Sequence, residues 1–236
     1  MPRTARWGVG AIAAIAGCML APPSGMRGMG HALLVVGALL AVAFLVAVVR
    51  EARKHQRLAT SMARLARPAT LHGRSVAFVS GLGAAVVAGL RHPRIFMADD
   101  LPGRLDADEL RAVILHEHHH QIESAPARLV LICALTPVLG RLEAGRAWME
   151  RERARLEIAA DAYALASGAS KPALASALVK LGSSPGLSLA PGFATAADLR
   201  VRALLGEATG IERDGSAGRI VGPLILVASC LVLYLR

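Results

Sequence analysis

Aromatic residues make up only 3% of this 236-residue chain, and acidic residues are outnumbered by basic ones, 17 to 27. Cysteine is scarcer still. Cys18, Cys133 and Cys230 each sit in an apolar stretch, at no spacing that suits a thiolate metal site or a disulfide. They read as small buried hydrophobes. No internal repeat and no long disordered tail is present. What fills the chain instead is aliphatic: 54% of residues are hydrophobic, and the mean hydropathy is +0.48. That is far more apolar than a soluble enzyme of this length needs to be. It predicts an integral membrane protein, mainly α.

The apolar residues are gathered into segments. Residues 32–49 are uninterrupted apolar sequence, long enough as a helix to cross most of a ~30 Å hydrocarbon core. Residues 7–21 and 220–235 are two further candidate spans, the first short and Gly-rich. The surplus of positive charge, +10, raises the question of nucleic acid. The arginines answer it by position. Arg50, Arg53, Lys54, Arg57, Arg64 and Arg67 follow the second span, Arg3 and Arg6 precede the first, and residues 22–30 between them carry only Arg27. That is the positive-inside pattern, and basic residues beside a membrane also bind anionic headgroups. The expected partner is therefore the lipid bilayer and not nucleic acid. The expected organisation is a transmembrane hairpin over residues 1–50, a cytoplasmic domain over 51–219 and a transmembrane helix over 220–236. This is the multi-pass layout of a bacterial-type cell membrane protein.

The chemistry is concentrated in Leu115-His116-Glu117-His118-His119-His120-Gln121. This stretch contains His-Glu-x-x-His. Residues i and i+4 of a helix share a face, so His116 and His120 can hold one zinc ion, Zn(2+), and Glu117 can reach a water on it. The stretch has the marks of a helix. Asp106 followed by Glu109 forms a capping-box pattern, the first turn is acidic, and Leu110, Val113 and Ile114 recur at helical spacing. With His116 at 0°, His120 falls at about 40°, His119 at about 300° and His118 at about 200°. His118 therefore points away, and His119 sits at the edge of the metal face.

A third ligand is in reach downstream. Residues 153–163 read as a second helix on which Glu157 and Asp161 are again i and i+4. Glu157 completes a two-His, one-Glu set with an open position for water, the arrangement of catalytic zinc. Asp161 is placed to accept the other ring N–H of a ligand histidine. The alternative is a solvated acidic pair on an Arg-rich helix.

Glu-x-x-Ala-Asp after His-Glu-x-x-His resembles the membrane-bound gluzincin peptidases, of the BlaR/MecR antibiotic-sensor type and of the HtpX type. The lead-in from Arg91 to Met97, the Leu105-to-Glu117 pattern and the basic, leucine-rich Asp198–Gly206 resemble the BlaR/MecR type more closely. The resemblance spans roughly residues 70 to 206. It implies zinc on His116, His120 and Glu157, Glu117 as general base and Asp161 behind the ligands. It also implies a small α+β metallopeptidase domain beside the transmembrane helices, and the positive-inside pattern puts its active site on the cytoplasmic side. The substrate it implies is a protein or peptide, such as a transcriptional repressor in the BlaR/MecR case or a membrane protein under quality control in the HtpX case. A non-catalytic zinc-binding scaffold is the rival from another class; the intact Glu117 speaks against it. Tyr163 and Arg200 are candidate oxyanion or substrate contacts.

Two departures stand out. The chain stops at Arg236 without the penicillin-binding sensor domain of the BlaR/MecR receptors, and Gln121-Ile122-Glu123-Ser124 stands where an aspartate is usual. One apolar stretch complicates the topology. Residues 126–140 lie between the two metal motifs, which must share a side of the membrane to share an ion, and a single crossing there would separate them. A buried or membrane-dipping helix is expected. Residues 76–79, 84–88 and 95–97 read as short strands of a sheet that would offer a peptide an edge. Residues 172–181 and 198–205 read as helices, and 183–192 as a connecting loop. Finally, Ile15-Ala16-Gly17-Cys18 resembles a lipoprotein signal box, the alternative being a small-residue transmembrane helix.

Overall fold

The computed structural model describes residues 26–182 and 193–207. The segments at 7–21 and 220–235, the Cys18 box and the 183–192 connection lie outside the described residues. Two compact units are distinguished. The described part of the first is residues 26–45, and the second, Val46–Ile220, carries the sheet, the remaining helices and the candidate site. The described chain is mostly helical, with one small sheet.

Helix α1 runs from Met26 to Leu65 without a break at Arg50. No Gly or Pro occurs between residues 51 and 67, and the Glu, Ala, Arg, Lys, Gln, Leu and Met that dominate there are strong helix formers. This is the one described helix that by itself is long and apolar enough to cross a membrane. Val35, Val36, Leu39, Leu40, Val42, Leu45 and Val46 are all exposed along it. Its far end is different. Ala59 and Met62 are buried against Val79, Ala88 and Phe96 of the sheet.

The sheet has four strands, β1 (Arg67–Leu71), β2 (Arg74–Val79), β3 (Ala85–Ala88) and β4 (Arg94–Ala98), in the order β1-β2-β4-β3. β1 and β2 form a hairpin whose two-residue turn, His72-Gly73, has positive φ at both positions (48° and 74°). Such a turn carries the right-handed twist of the flanking strands, and its second position suits glycine. β2 and β4 are parallel, and β3 runs antiparallel on the other side of β4. The strand reading of 76–79, 84–88 and 95–97 holds. β1 is an addition to it.

β4 is buried on both faces. Successive strand residues face opposite ways, so Phe96 meets the end of α1 while Ile95 and Met97 meet the helical layer. In that layer a single turn, α2 (Leu101–Arg104), leads into α3 (Ala107–Ile122), the helix of the histidine run. Leu101, Leu105, Leu110, Val113 and Ile114 pack on Ile95 and Met97. Ser124, in the left-handed region (φ 51°), turns the chain by 68° into α4 (Ala125–Leu139). α4 is a half-buried helix whose 15 residues rise about 22 Å, short of a bilayer core. It leads to α5 (Glu143–Ala166), which carries the second motif and lies against α3. Gly145 permits the α4–α5 junction, because a Cβ there would stand 2.2 Å from the Leu139 carbonyl oxygen. The two metal motifs are thus brought side by side, with α4 as the connection that joins their helices. α6 (Lys171–Gly182) and α7 (Phe193–Leu205) complete the described layer, α6 against α3 and α7 against α5.

The start of α3 is fixed by the capping box read from sequence. Asp106 Oδ1 accepts from the Glu109 backbone N–H at 2.8 Å, and Glu109 Oε2 accepts from that of Asp106 at 2.9 Å. Glu109 does more than cap. It is buried at 3% exposure and accepts from Lys180 Nζ at 2.6 Å and Ser176 Oγ at 2.5 Å, tying α3 to α6. Lys180 foremost, then Ser176 and the Asp106 N–H, hold its carboxyl down from about 4.5 to about 2. A carboxyl lowered by folding stabilises the fold fully above its unfolded value, and that contribution is lost as pH falls toward its folded value. Glu109→Gln should therefore be less stable than wild type near neutral pH, with the gap closing between about pH 4.5 and about 2. Urea unfolding of both proteins across that range measures this. A gap independent of pH would show that the ion pair contributes nothing.

Candidate metal centre

Three helices build the centre. α3 supplies His116, Glu117 and His120, α5 supplies Glu157 and Asp161, and α7 supplies Arg200. The i, i+4 spacing works as expected on both motif helices, and the packing of α3 on α5 turns the two faces toward each other. His116 Nε2 and His120 Nε2 are 3.1 Å apart, with their rings edge to face at 86°. Glu157 faces both. Its Oε2 is 3.4 Å from His116 Nε2, and its Oε1 is 3.4 Å from His120 Nε2. His116, His120 and Glu157 form a group that could hold a metal ion.

The donor set tests which ion fits. A tetrahedral ion with bonds of about 2.0–2.1 Å places its donors about 3.3 Å apart. The imidazole nitrogens stand 3.1 Å apart, each lies 3.4 Å from a different oxygen of Glu157, and one ligand atom from each residue lies within 4.8 Å of the others. Two imidazoles and one carboxylate suit zinc, and fewer oxygens are present than calcium or magnesium prefers. Charge agrees. Among the described residues, Glu117, Glu157 and Asp161 gather around Arg200, and with neutral imidazoles these four groups carry a surplus of two negative charges. A divalent cation would balance it.

Asp161 stands behind the histidine. Its Oδ1 accepts from His116 Nδ1 at 2.8 Å, and its side chain is 4% exposed. This contact makes Nδ1 the N–H donor and turns the Nε2 lone pair toward His120 and Glu157. The same negative field shows in the protonation of the centre. Burial disfavours a charged His116, but Asp161 and then Glu157 outweigh it and raise the imidazole to about 9. Burial would raise Glu157, but His116 and His120 outweigh it and keep the carboxyl well below its ordinary value. Burial dominates at Glu117, which is 9% exposed, and pushes its carboxyl upward. A buried carboxylate raised in this way is suited to accept a proton.

The structure places the remaining histidines elsewhere. His118 accepts from Arg74 Nη1 at 2.6 Å, on the side of the sheet. His119 stacks on Tyr163 at 5.1 Å between ring centroids. Tyr163 is thus a neighbour of the histidine run through His119, and no hydrogen bond joins it to the metal group among the described contacts. Beyond the run, Gln121 donates to the Pro93 carbonyl at 2.8 Å, and Glu123 pairs with Arg128.

Arg200 is brought into the centre, but onto carboxylates. Nε and Nη2 grip Asp161 at 2.8 Å each, and Nη1 lies 3.1 Å from Glu157 Oε2. Sequence nominated Arg200 for an oxyanion or substrate and missed this clamp. Arg200 and Arg202 stand two residues apart in one basic helix, and nothing in the pattern says which of them faces inward.

Compared with known proteins, the chain matches no family model, no curated protein and no solved structure.

Proposed function

We propose that this chain is a membrane-embedded, zinc-dependent endopeptidase. The observation that carries the reading is the gathering of His116, His120 and Glu157 into a group that could hold a metal ion, with Glu117 next to the two histidines on α3. His116, His120 and Glu157 would hold the ion. Bound there, zinc supplies a Lewis acid that lowers the pKa of a water and polarises a carbonyl. Glu117 accepts the proton of the attacking water and delivers it to the leaving amine. Asp161 keeps His116 in the tautomer that offers Nε2.

The substrate class follows from the surroundings. β3 pairs only with β4 among the described strands, lies beside α3 and exposes Val86. An extended peptide could add to that edge and run past the histidines. The apolar part of α1, with the apolar sequence at 7–21 and 220–235 and the positive-inside arginines, supports the reading of a multi-pass protein with its site on the cytoplasmic side. The substrate is then a cytoplasmic or membrane-associated protein. A transcriptional repressor fits the BlaR/MecR-like segments, and a membrane protein under quality control fits the HtpX-like motif.

The test uses the full chain purified in detergent. Metal analysis should find one zinc per chain. Cleavage of an unstructured protein such as casein should stop on chelation and return on adding zinc. A metal-free protein, or cleavage indifferent to chelation, would overturn the proposal.

A further inference from the structure

We infer that Arg200 is a positioning residue, which from α7 fixes the two carboxylates that α5 brings to the metal centre, Glu157 and Asp161, and so sets the geometry of the ligands. The inference rests on the metal-centre reading and goes beyond it. It adds a third helix to a site whose ligands come from two.

The contacts argue for position rather than for docking alone. The fork of Arg200 engages both oxygens of Asp161, at 2.8 Å each, and its remaining nitrogen reaches Glu157 at 3.1 Å. Asp161 Oδ1 is the same oxygen that accepts from His116 Nδ1. One guanidinium therefore orients a ligand carboxylate directly and a ligand imidazole through Asp161. The pairs are nearly dry, with Arg200 12% and Asp161 4% exposed. A buried carboxylate without its counter-charge pays for desolvation, so its geometry depends on the pairing. Glu157 needs the constraint most. Its side chain is 33% exposed, against 9% for His116 and 12% for His120, and packing restrains it least.

Two effects of the guanidinium oppose each other. Its charge repels a divalent cation, while its fork orders the donors. Lysine separates them. It keeps the charge but is a single point donor that cannot engage two carboxylates in a plane. In Arg200→Lys, loss of metal affinity cannot come from charge. Supporting partners of metal ligands are typically worth 10–100-fold in affinity.

The experiment is metal titration of the full chain in detergent, with zinc against a chromophoric chelator and with cobalt by visible absorption. Arg200→Lys should bind zinc about 10-fold more weakly, and Arg200→Met up to about 100-fold more weakly. The cobalt bands should change in both, since their intensity reports ligand geometry. A residue that merely docks α7 would lower the melting temperature and leave the cobalt spectrum alone. Zinc binding unchanged or tighter in either variant, or an unaltered cobalt spectrum, overturns the inference. Should Arg200→Met fail to fold, Arg200→Lys decides the matter alone. Failure of the underlying reading looks different, because the wild type itself would then bind neither ion.

Discussion

Glu117→Gln should keep a full complement of zinc and lose about three orders of magnitude in peptide hydrolysis. Glutamine has the size of glutamate and leaves the helix and the three donors untouched. It removes only the group that accepts the proton. General acid–base catalysis contributes typically 10²–10⁴-fold, which sets the expected loss at about 10³. The burial of Glu117 bears on this figure. A carboxylate in water is too weak a base to do much at neutral pH, and burial shifts this one upward. The variant also separates the peptidase from a scaffold that binds metal without chemistry. Cleavage of casein within tenfold of wild type, with zinc bound, would remove Glu117 from the mechanism. If neither wild type nor variant cleaves any substrate while both hold zinc, the scaffold is the better account.

The site was more legible in the sequence than the frame around it. Helical arithmetic alone put His116 with His120, sent His118 to the far side and paired Glu157 with Asp161. Each placement follows from a period of 3.6 residues, and the structure brings His116, His120 and Glu157 together with Asp161 behind His116. What periodicity cannot show is which of two equivalent residues a distant helix turns inward. Arg200 is the example. Tertiary packing also decided the rest. β1 was missed because Arg67-Pro68-Ala69 lacks the β-branched pattern, although the turn chemistry of His72-Gly73 announced a hairpin. The apolar run of α1 ends at Val49, but the helix does not, because the basic residues beyond it are good helix formers. Glu109 showed its role as a cap and hid its role as a tie, since Lys180 lies 71 residues away. Local rules find the residues that carry chemistry on one helix face. They do not find partners across the fold.

Glu157→Ala should abolish stoichiometric zinc binding, and the contrast with two other variants makes this loss informative. Removal of a ligand must cost more than the 10–100-fold lost with a supporting partner, so affinity should fall by at least about 10³-fold. Two imidazoles alone do not close a tetrahedral site. The four histidines of the run make the control essential, because a His-rich patch binds zinc weakly and without geometry. His118 faces Arg74, and His119 faces Tyr163. His118→Ala and His119→Ala should therefore hold zinc as wild type does, while His120→Ala should fail with Glu157→Ala. Metal analysis of all four proteins after dialysis reads the answer. Zinc retained by Glu157→Ala, or lost equally from all the histidine variants, would mean that the ion is held by the patch and that the bridge from α3 to α5 is not a metal site. Zinc lost only where the structure gathers donors at 3.1–3.4 Å would mean that two helices, held together by the packing of α3 on α5, define the ion.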